Sequence, residues 1–342
     1  MTLQPGPRLP LPNPGRGLPA LILSGLCVAG PAVAVQEPFP EPLTLESALA
    51  LAPRDLPTEV LSRQYQETAI RARAFECRAQ DRPQGPEEGV AGGCGYWHLL
   101  TPEQQSRLQL VRLFLDVVEA DVAMAREDEA MAVAYVELDR ARSREELGQY
   151  STLKRSGLDM EYQKVRKTRS VSQARQRVTR SLLAAAVGRP GQLPSDVEAP
   201  VMPAWPEDLP AIDDLLAQAV DRNPVLADWR GRVDTDVAAA PLAAQLELDL
   251  RQAVLELWLS YSALRVRRDA DVSQEDYRDL SLERNRTLYE LEAKADLGDA
   301  MTQQTAARLA RVETDHRIFL LLATLNALRG MPLLPVAGEE EA

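Results

Sequence analysis

Apolar residues recur at alternating spacings of three and four along four stretches of this chain, a pattern typical of helices in coiled coils. The predicted seam of the first helix pair consists of Leu108, Val111, Leu115, Val118, Val122 and Ala125, followed by Val171, Ala174, Val178, Leu182 and Ala185. That of the second pair consists of Leu250, Val254, Leu257, Tyr261 and Leu264, followed by Leu309, Val312, His316, Phe319 and Ala323. Each pair predicts an outgoing helix and a return helix.

Both helix pairs end in the same way, which indicates an internal duplication. Glycine tolerates the left-handed backbone of a tight turn, so glycines mark the predicted hairpin turns and the ends of the return helices. The second outgoing helix should therefore run to Asp296. The predicted turns are Leu147-Gly148 and Leu297-Gly298, and the predicted ends are Gly188-Arg189-Pro190 and Gly330-Met331-Pro332.

Shorter elements surround the long helices. Thr101, followed by Pro102 and Gln104, has the pattern of a capped helix start. Further short helices are predicted over residues 44–51, 58–80 and 213–221 and around Trp229, with a loop over residues 81–100. The prolines between residues 188 and 210 exclude regular helix there and mark the junction between the two copies.

The sequence therefore predicts an all-α fold of duplicated long antiparallel helical hairpins, with no or minimal β-strand. The composition agrees, since 45% of the residues are apolar, 26% are charged and only 5% are aromatic, a mixture rich in helix formers. The predicted parts are a signal peptide (1–34), a first helical repeat with a loop insert (35–190), a Pro-rich linker (191–210), a second helical repeat (211–332) and an acidic tail (333–342).

The first 34 residues have the pattern of an export signal. Arg8 and Arg16 precede a short apolar run, and the small residues Ala32 and Ala34 predict cleavage after Ala34. The alternative is an N-terminal anchor that stays attached, although the run is shorter than the roughly 20 residues of a membrane span. In an exported chain, Cys77 and Cys94 could form a disulfide or remain two unpaired thiols.

No pattern predicts catalysis, a cofactor or a metal site. The sequence contains no Gly-rich phosphate loop, no Gly-x-Ser-x-Gly motif and no cluster of metal ligands. His316 lies in a predicted apolar row, so we expect a core or interface histidine rather than a ligand or a switch. The net charge of −12 and the absence of a basic stripe with aromatic residues make nucleic acid an unexpected partner.

The order of these parts resembles the TolC family, the outer-membrane efflux ducts of Gram-negative bacteria. The resemblance is carried by Pro42 to Ala52 (PLTLESALALA), by Leu215 to Pro224 (LLAQAVDRNP), and by the two hairpins that follow. It implies a homotrimer whose long helices form an α-barrel in the periplasm or at the periplasmic side of the outer membrane. It also implies two partners, a periplasmic adaptor and an inner-membrane pump.

The sequence departs from the family where strands are expected. Family members contribute a pair of strands per repeat to an outer-membrane barrel. Residues 81–100 form a Pro/Gly-rich segment here, and residues 234–246 are rich in alanine, so neither place has two alternating segments of about 9 to 11 residues. We therefore expect these strands to be missing.

The resemblance also implies site residues. The hairpin turns at Leu147, Gly148, Leu297 and Gly298 would contact the adaptor, and Glu292, Asp296 and Asp299 are candidates for an acidic entrance, with a solvated helix end as the alternative. Two functions remain open. One is the helical conduit of an efflux system, and the other is a soluble periplasmic coiled-coil binding or scaffold protein without transport. A ring-forming oligomer favours the first, and a closed monomeric bundle favours the second.

Overall fold

The computed structural model describes residues 39–52, 96–237, 239–291 and 297–333. These residues form α-helices, one 3₁₀ helix (Tyr96–Leu99) and an isolated parallel β-bridge between Leu43 and Val197, but no β-strand. The helices are α1 (Leu45–Leu51), α2 (Pro102–Glu146), α3 (Thr152–Ala186), α4 (Ile212–Arg222), α5 (Pro224–Gly231), α6 (Ala239–Glu290) and α7 (Leu297–Leu328). The all-helical fold predicted from the sequence is confirmed.

The start of α2 shows how local sequence sets a helix boundary. The Thr101 hydroxyl accepts a hydrogen bond from the backbone N–H of Gln104 at 3.2 Å, and the Gln104 side chain accepts one from the N–H of Thr101 at 2.9 Å. This capping box satisfies two N–H groups that a helix start leaves unpaired. Gln104 also donates to the carbonyl oxygen of Ala327 at 2.9 Å, so the cap ties α2 to the end of α7.

The four long helices form a layer in the order α3–α2–α7–α6, since each packs against the next. Polar pairs join them, and residue numbers rise on one helix as they fall on its neighbour, so neighbouring helices are antiparallel. The α3–α2 pairs include Arg180–Asp121 and Arg169–Asp128, the α2–α7 pairs include Glu119–His316 and Glu129–Thr305, and the α7–α6 pairs include Asp315–Arg268 and Gln304–Asp279.

The short helices join the layer at one end. There, α1 packs against α2, whereas α4 and α5 pack against α6. Asn223, which is 1% exposed, holds this junction together. Its amide donates to the carbonyl oxygens of Leu99 and Leu328, both at 3.0 Å, and its side-chain oxygen accepts from the N–H of Leu226 at 2.9 Å. One asparagine thus caps α5 and fixes two other segments to it.

The predicted seams of α6 and α7 lie in the core, except that Val312 is half-buried. In α2 the seam is buried as far as Val118, whereas Val122 is half-buried and Ala125 is exposed. The gradient follows the packing, because the short helices cover only the end of the layer where α2 begins.

The predicted seam of α3 does not pack against α2. Its members, Val171, Ala174, Val178, Leu182 and Ala185, are all exposed, and the buried residues of this 35-residue helix are Thr179, Leu183 and Ala184. The reason is the position of α3 at the edge of the layer. It packs against α2 on one side only, so the apolar stripe read from the sequence lies on the opposite side.

The second hairpin turn is also displaced from its predicted place. Helix α6 ends at Glu290 instead of Asp296, and Leu297 and Gly298 lie in the first turn of α7. Gly298 serves helix packing, because an added Cβ would lie 2.7 Å from a methyl carbon of Val133 on α2. No helix among the described residues is both long enough and apolar enough to cross a membrane.

Candidate assembly surface and hairpin turns

Helix α3 exposes an apolar stripe along the face opposite α2. Residues spaced by three and four along this face are all exposed, and 62% of Val171 and 68% of Met160 are accessible to solvent. The stripe consists of Met160, Lys164, Lys167, Val171, Ala174, Val178 and Leu182. Such a heptad-like stripe is what a helix presents to a coiled-coil partner, and within the described chain α3 has no second long-helix neighbour.

Helix α6, at the other edge of the layer, exposes a second stripe. It consists of Leu255, Leu259, Ser262, Val266, Asp269, Ser273, Asp276, Leu280 and Glu283, again spaced by three and four and all exposed. Val266 and Leu280 are 72% and 67% exposed. The opposite face of α6 carries the core residues that pack on α7. This helix therefore also exposes the large apolar side chains Leu255, Leu259, Val266 and Leu280 on its other face, between serines and carboxylates.

The first hairpin turn is tight and held by side chains. Gly148 has φ of +71° and no atom within 4 Å of an added Cβ, so it is required by the backbone and not by packing. The N–H groups of Gly148 and Gln149 donate to the carbonyl oxygens of Glu145 and Arg144. Glu145 also pairs with Arg155 across the turn, 2.6 Å apart.

Tyr150 lies at the tip of this turn between two cations. The Lys154 ammonium lies 3.7 Å from the ring centroid and the Arg144 guanidinium lies 5.1 Å from it. Hydrogen bonding to Lys154 and to Arg144 lowers the pKa of the Tyr150 hydroxyl. Leu147 and Leu153, 71% and 83% exposed, lie three residues before and after Tyr150 in the sequence, so the turn exposes apolar side chains as well as this basic centre.

At the second hairpin, the structure describes some of the predicted site residues and not others. Asp299 is exposed on the first turn of α7, where its carboxylate accepts a hydrogen bond from Gln303. Glu292 and Asp296, its predicted companions in an acidic entrance, lie outside the described residues, as do Cys77, Cys94 and the predicted signal peptide.

Polar side chains connect three of the long helices. One carboxylate oxygen of Glu119 on α2 lies 2.9 Å from Nδ1 of His316 on α7, and the other lies 3.9 Å from the guanidinium of Arg175 on α3. Burial, followed by the charge of Glu119, raises the pKa of the neighbouring Asp116 carboxyl. His316 is 3% exposed and paired, so it is a core histidine as expected.

A second polar centre surrounds Asp315 on α7, which is 5% exposed. Its carboxylate accepts from Arg268 on α6 at 2.6 Å and from the indole N–H of Trp205 at 3.0 Å. The Trp205 ring also packs edge-on against Phe319. Asp315 therefore fixes the segment before α4 to the two long helices of the second hairpin, a role that spacing along the sequence did not reveal.

Solved structures share this arrangement. CusC, whose structures concern folding and transmembrane channel formation, matches with a TM-score of 0.54 and 14% identity over 85% of this chain and 96% of that one. VceC, an outer membrane protein of Vibrio cholerae, matches with a TM-score of 0.53 and 11% identity over 85% and 97%. OprN, an outer-membrane channel, matches with a TM-score of 0.50 and 13% identity over 68% and 67%.

This chain has a TolC-like fold. No protein-family model and no curated protein matches its sequence, and at these identities the likeness to solved structures shows the fold alone. Within the TolC-like fold of this chain, α3 and α6 are the edges of the layer, and the tip around Tyr150 joins α2 to α3. The function has to be argued from these surfaces.

Proposed function

We propose that this chain is the helical part of an efflux conduit, exported to the periplasm or the periplasmic side of the outer membrane, and that copies of it close into a ring. One observation carries the proposal: the four long helices form an open layer whose two edge helices each expose a heptad-like stripe that includes large apolar side chains. The two exposed edges become buried when copies of the chain associate edge to edge. When each copy makes the same asymmetric contact with the next, the copies form a ring if the rotation closes.

The TolC-like fold supports a ring of three copies, since the family resemblance implies a trimer. It also supports a periplasmic adaptor and an inner-membrane pump as partners. The tip around Tyr150 is the surface we assign to the adaptor, because Leu147 and Leu153 are exposed apolar residues held by a rigid turn. Asp299, with Glu292 and Asp296, remains our candidate for an acidic entrance, where repeated carboxylates would favour cations.

The division into a signal peptide, two repeats, a linker and a tail belongs to the same proposal. The described elements support it in one respect: residues 191–210 contain no helix and lie between the two hairpins. The chain would thus supply two similar hairpins to each third of a ring.

The alternative is a monomeric scaffold without transport. A monomer that buried its stripes would need α3 packed against α6, or the two hairpins folded face to face. The main long-helix contacts of the described residues instead run between neighbours in the layer. We therefore favour the conduit over the closed bundle.

A genetic test in the native bacterium separates these functions. Deleting the gene should raise the intracellular accumulation of a fluorescent efflux substrate such as ethidium, and the wild-type gene should restore efflux. Val171→Asp, which places a carboxylate in the exposed stripe of α3, should fail to restore it. Val201→Asp is the matched control, because Val201 is 93% exposed but lies in the linker.

Full restoration by Val171→Asp would contradict the proposed ring. Unchanged accumulation of several chemically different dyes after deletion would contradict transport and favour the scaffold. The amount of each variant in the periplasmic and membrane fractions is measured alongside, so that loss of protein is distinguished from loss of function.

A further inference from the structure

The first hairpin reaches past the end of helix α6, at the end of the layer opposite the short helices. Glu129 on α2 bonds Thr305 on α7. The residue before Thr305, Gln304, bonds Asp279 on α6 at 2.9 Å, so Asp279 is about level with Glu129. Helices α2 and α6 run in the same direction, and α6 ends eleven residues after Asp279, at the level of Arg140. Helix α2 continues for six more residues, roughly 9 Å.

The part of the first hairpin beyond this level, residues 140–160, is called the first tip below. Arg155 of α3 pairs with Glu145 of α2, so position 160 on α3 is about level with position 140 on α2. The first tip contains five basic and three acidic residues, in a chain whose net charge is −12. Two of the basic residues pair with two of the acidic ones inside the tip. The projecting end of an acidic protein is therefore locally positive.

Three cations of the first tip have no carboxylate partner among the described residues. They are Arg140, Arg144 and Lys154, and all three are exposed. Arg144 and Lys154 lie 5.1 Å and 3.7 Å from the centroid of the Tyr150 ring. Against these three cations, Glu146 is the exposed carboxylate of the tip for which the structure shows no cation. The first tip thus keeps positive charge available for a partner.

The first tip also exposes large apolar side chains. Leu147 and Leu153 are 71% and 83% exposed, and Met160 is 68% exposed. Beyond the end of α6, α2 and α3 are the only long helices among the described residues, so the tip is two helices wide. No other described element covers its leucines.

Basic, aromatic and leucine side chains together are typical of segments that bind the membrane interface. Leucines enter the boundary between headgroups and acyl chains, a tyrosine lies at the level of the headgroups, and the cations bind lipid phosphates. The long basic side chains reach the phosphates while their stems stay on apolar surface. An acidic protein would bind the cations but would have to match the leucines with a cavity of its own, whereas a bilayer accepts leucines anywhere along its surface.

We propose that the first tip binds the surface of an anionic phospholipid bilayer, with Arg144 and Lys154 at the lipid phosphates and Leu147 and Leu153 in the interfacial layer. For an exported chain this surface is the periplasmic face of the inner membrane. The lipid is a partner in addition to the adaptor. The inference rests on the proposed function in one respect: a ring presents three tips at one end, and their weak attractions to one flat surface combine.

Cosedimentation of the full exported chain with large vesicles tests the proposal. One set of vesicles is phosphatidylcholine alone, and the other contains one third phosphatidylglycerol. The wild type should bind the anionic vesicles at least about tenfold more tightly than the neutral ones. At 0.5 M NaCl most of this difference should disappear, because salt screens exposed charges. Equal binding to the two sets, or binding to neither, overturns the inference.

A charge variant shows whether the first tip makes the contact. Arg144→Gln/Lys154→Gln should weaken binding to the anionic vesicles at least about tenfold. The matched control is Arg166→Gln/Arg177→Gln, which makes the same change in net charge at two exposed positions of α3 outside the tip. The control should bind within about twofold of the wild type. An equal loss in the two variants would assign the attraction to α3 as a whole and overturn the role of the tip.

An apolar variant shows whether the leucines enter the bilayer. Leu147→Ser/Leu153→Ser should weaken binding at least about fivefold, because it removes apolar area that the bilayer would bury. The matched control is Val201→Ser/Val237→Ser, at positions 93% and 98% exposed outside the first tip. Unchanged binding of the leucine variant overturns the proposed insertion. Circular dichroism of every variant distinguishes lost binding from lost helix.

Light scattering on the same samples without vesicles separates the inference from the proposed ring. A protein that forms the ring but does not bind anionic vesicles contradicts the inference and leaves the conduit standing, and the tip then serves a protein partner. A monomer that binds anionic vesicles through the tip contradicts the ring and supports the lipid contact.

Discussion

The Glu119 carboxylate lies 2.9 Å from Nδ1 of His316, and this contact joins the two hairpins of the chain across 197 residues of sequence. The same interface includes Glu129 with Thr305 and the close approach of Gly298 to Val133. The pairing of α2 with α7 is thus partly polar, although both helices carry apolar seams. Polar pairs in a helix interface specify one alignment among several that apolar packing alone would allow.

Asp116 should make the stability of this interface depend on pH. Burial and the charge of Glu119 raise its pKa in the folded protein, so the ionised form destabilises the fold and protonation relieves this. The contribution of Asp116 to stability is present below its unfolded pKa and is lost as pH rises through its raised folded pKa. Asp116→Asn should therefore stabilise the protein at pH 7, by less than about 1 kcal/mol because the group is partly solvated.

Urea unfolding of Asp116→Asn at pH 7 and pH 4.5 checks the sign. The gain over the wild type should be larger at pH 7 than at pH 4.5. Asp139→Asn, at an exposed position of the same helix, is the control and should change stability by less than about 0.5 kcal/mol. A loss of stability at pH 7 in Asp116→Asn alone would show that its carboxylate is a net stabiliser.

Among the carboxylates of the second hairpin, Asp315 should be the one whose substitution lowers the stability of the protein most. Asp315→Ala leaves Arg268 without its close partner and the Trp205 indole N–H without an acceptor, so it should destabilise the protein by about 3 kcal/mol. Asp315→Asn retains an acceptor for Trp205 and should cost less. Thermal unfolding followed by tryptophan fluorescence measures both, with the exposed Asp139→Ala as control. Equal effects of Asp315→Ala and Asp139→Ala would mean that the network contributes nothing to stability.

Alanine substitutions at two glycines with positive φ should lower stability by different amounts. An alanine Cβ at Gly330 would lie 2.5 Å from the carbonyl oxygen of Arg222, whereas at Gly148 it would meet no atom within 4 Å. Gly148→Ala carries only backbone strain, about 1 kcal/mol, and Gly330→Ala adds a backbone clash, for a total of about 2 to 4 kcal/mol. Chemical denaturation measures the free energy of unfolding of both variants. A Gly148→Ala variant less stable than Gly330→Ala would contradict this prediction.

Gly298 should behave unlike an ordinary glycine in a helix. Replacing such a glycine with alanine usually stabilises by about 1 kcal/mol, but here the new Cβ would press on Val133. Gly298→Ala should therefore destabilise the wild type and stabilise a Val133→Ala background. A double-mutant cycle measures this coupling, expected at about 1 to 2 kcal/mol. If the effects of the two substitutions on the free energy of unfolding are additive, the helices can move apart without cost when Gly298 gains a Cβ.

Local signals in the sequence are sufficient for the start of α2 and for the first hairpin turn. The capping box at Thr101 and the glycine at Gly148 act within a few residues, so their roles follow from neighbouring residues alone. Gly298 shows the limit of this reasoning, because a glycine that permits a turn and a glycine that permits close helix packing look the same in sequence. The groups that bind Asp315 and His316 across the fold, Arg268 and Trp205 for the first and Glu119 for the second, are distant in the sequence, and no local pattern names them.

The stripe of α3 is predicted by spacing, but spacing does not predict what covers it. Spacing shows that Val171 and Val178 share one face of a helix, but it cannot show whether the element that covers them belongs to the same chain. In the structure both residues are exposed, so the stripe is the strongest indication of a partner.

The mass of the wild-type protein in solution tests the central claim most directly. Light scattering on the full exported chain, with and without detergent and over a hundredfold range of concentration, should give three times the mass of the mature chain. A mass of one chain at every concentration would contradict it, because the stripes of α3 and α6 would then remain in water and the open layer would be the finished molecule.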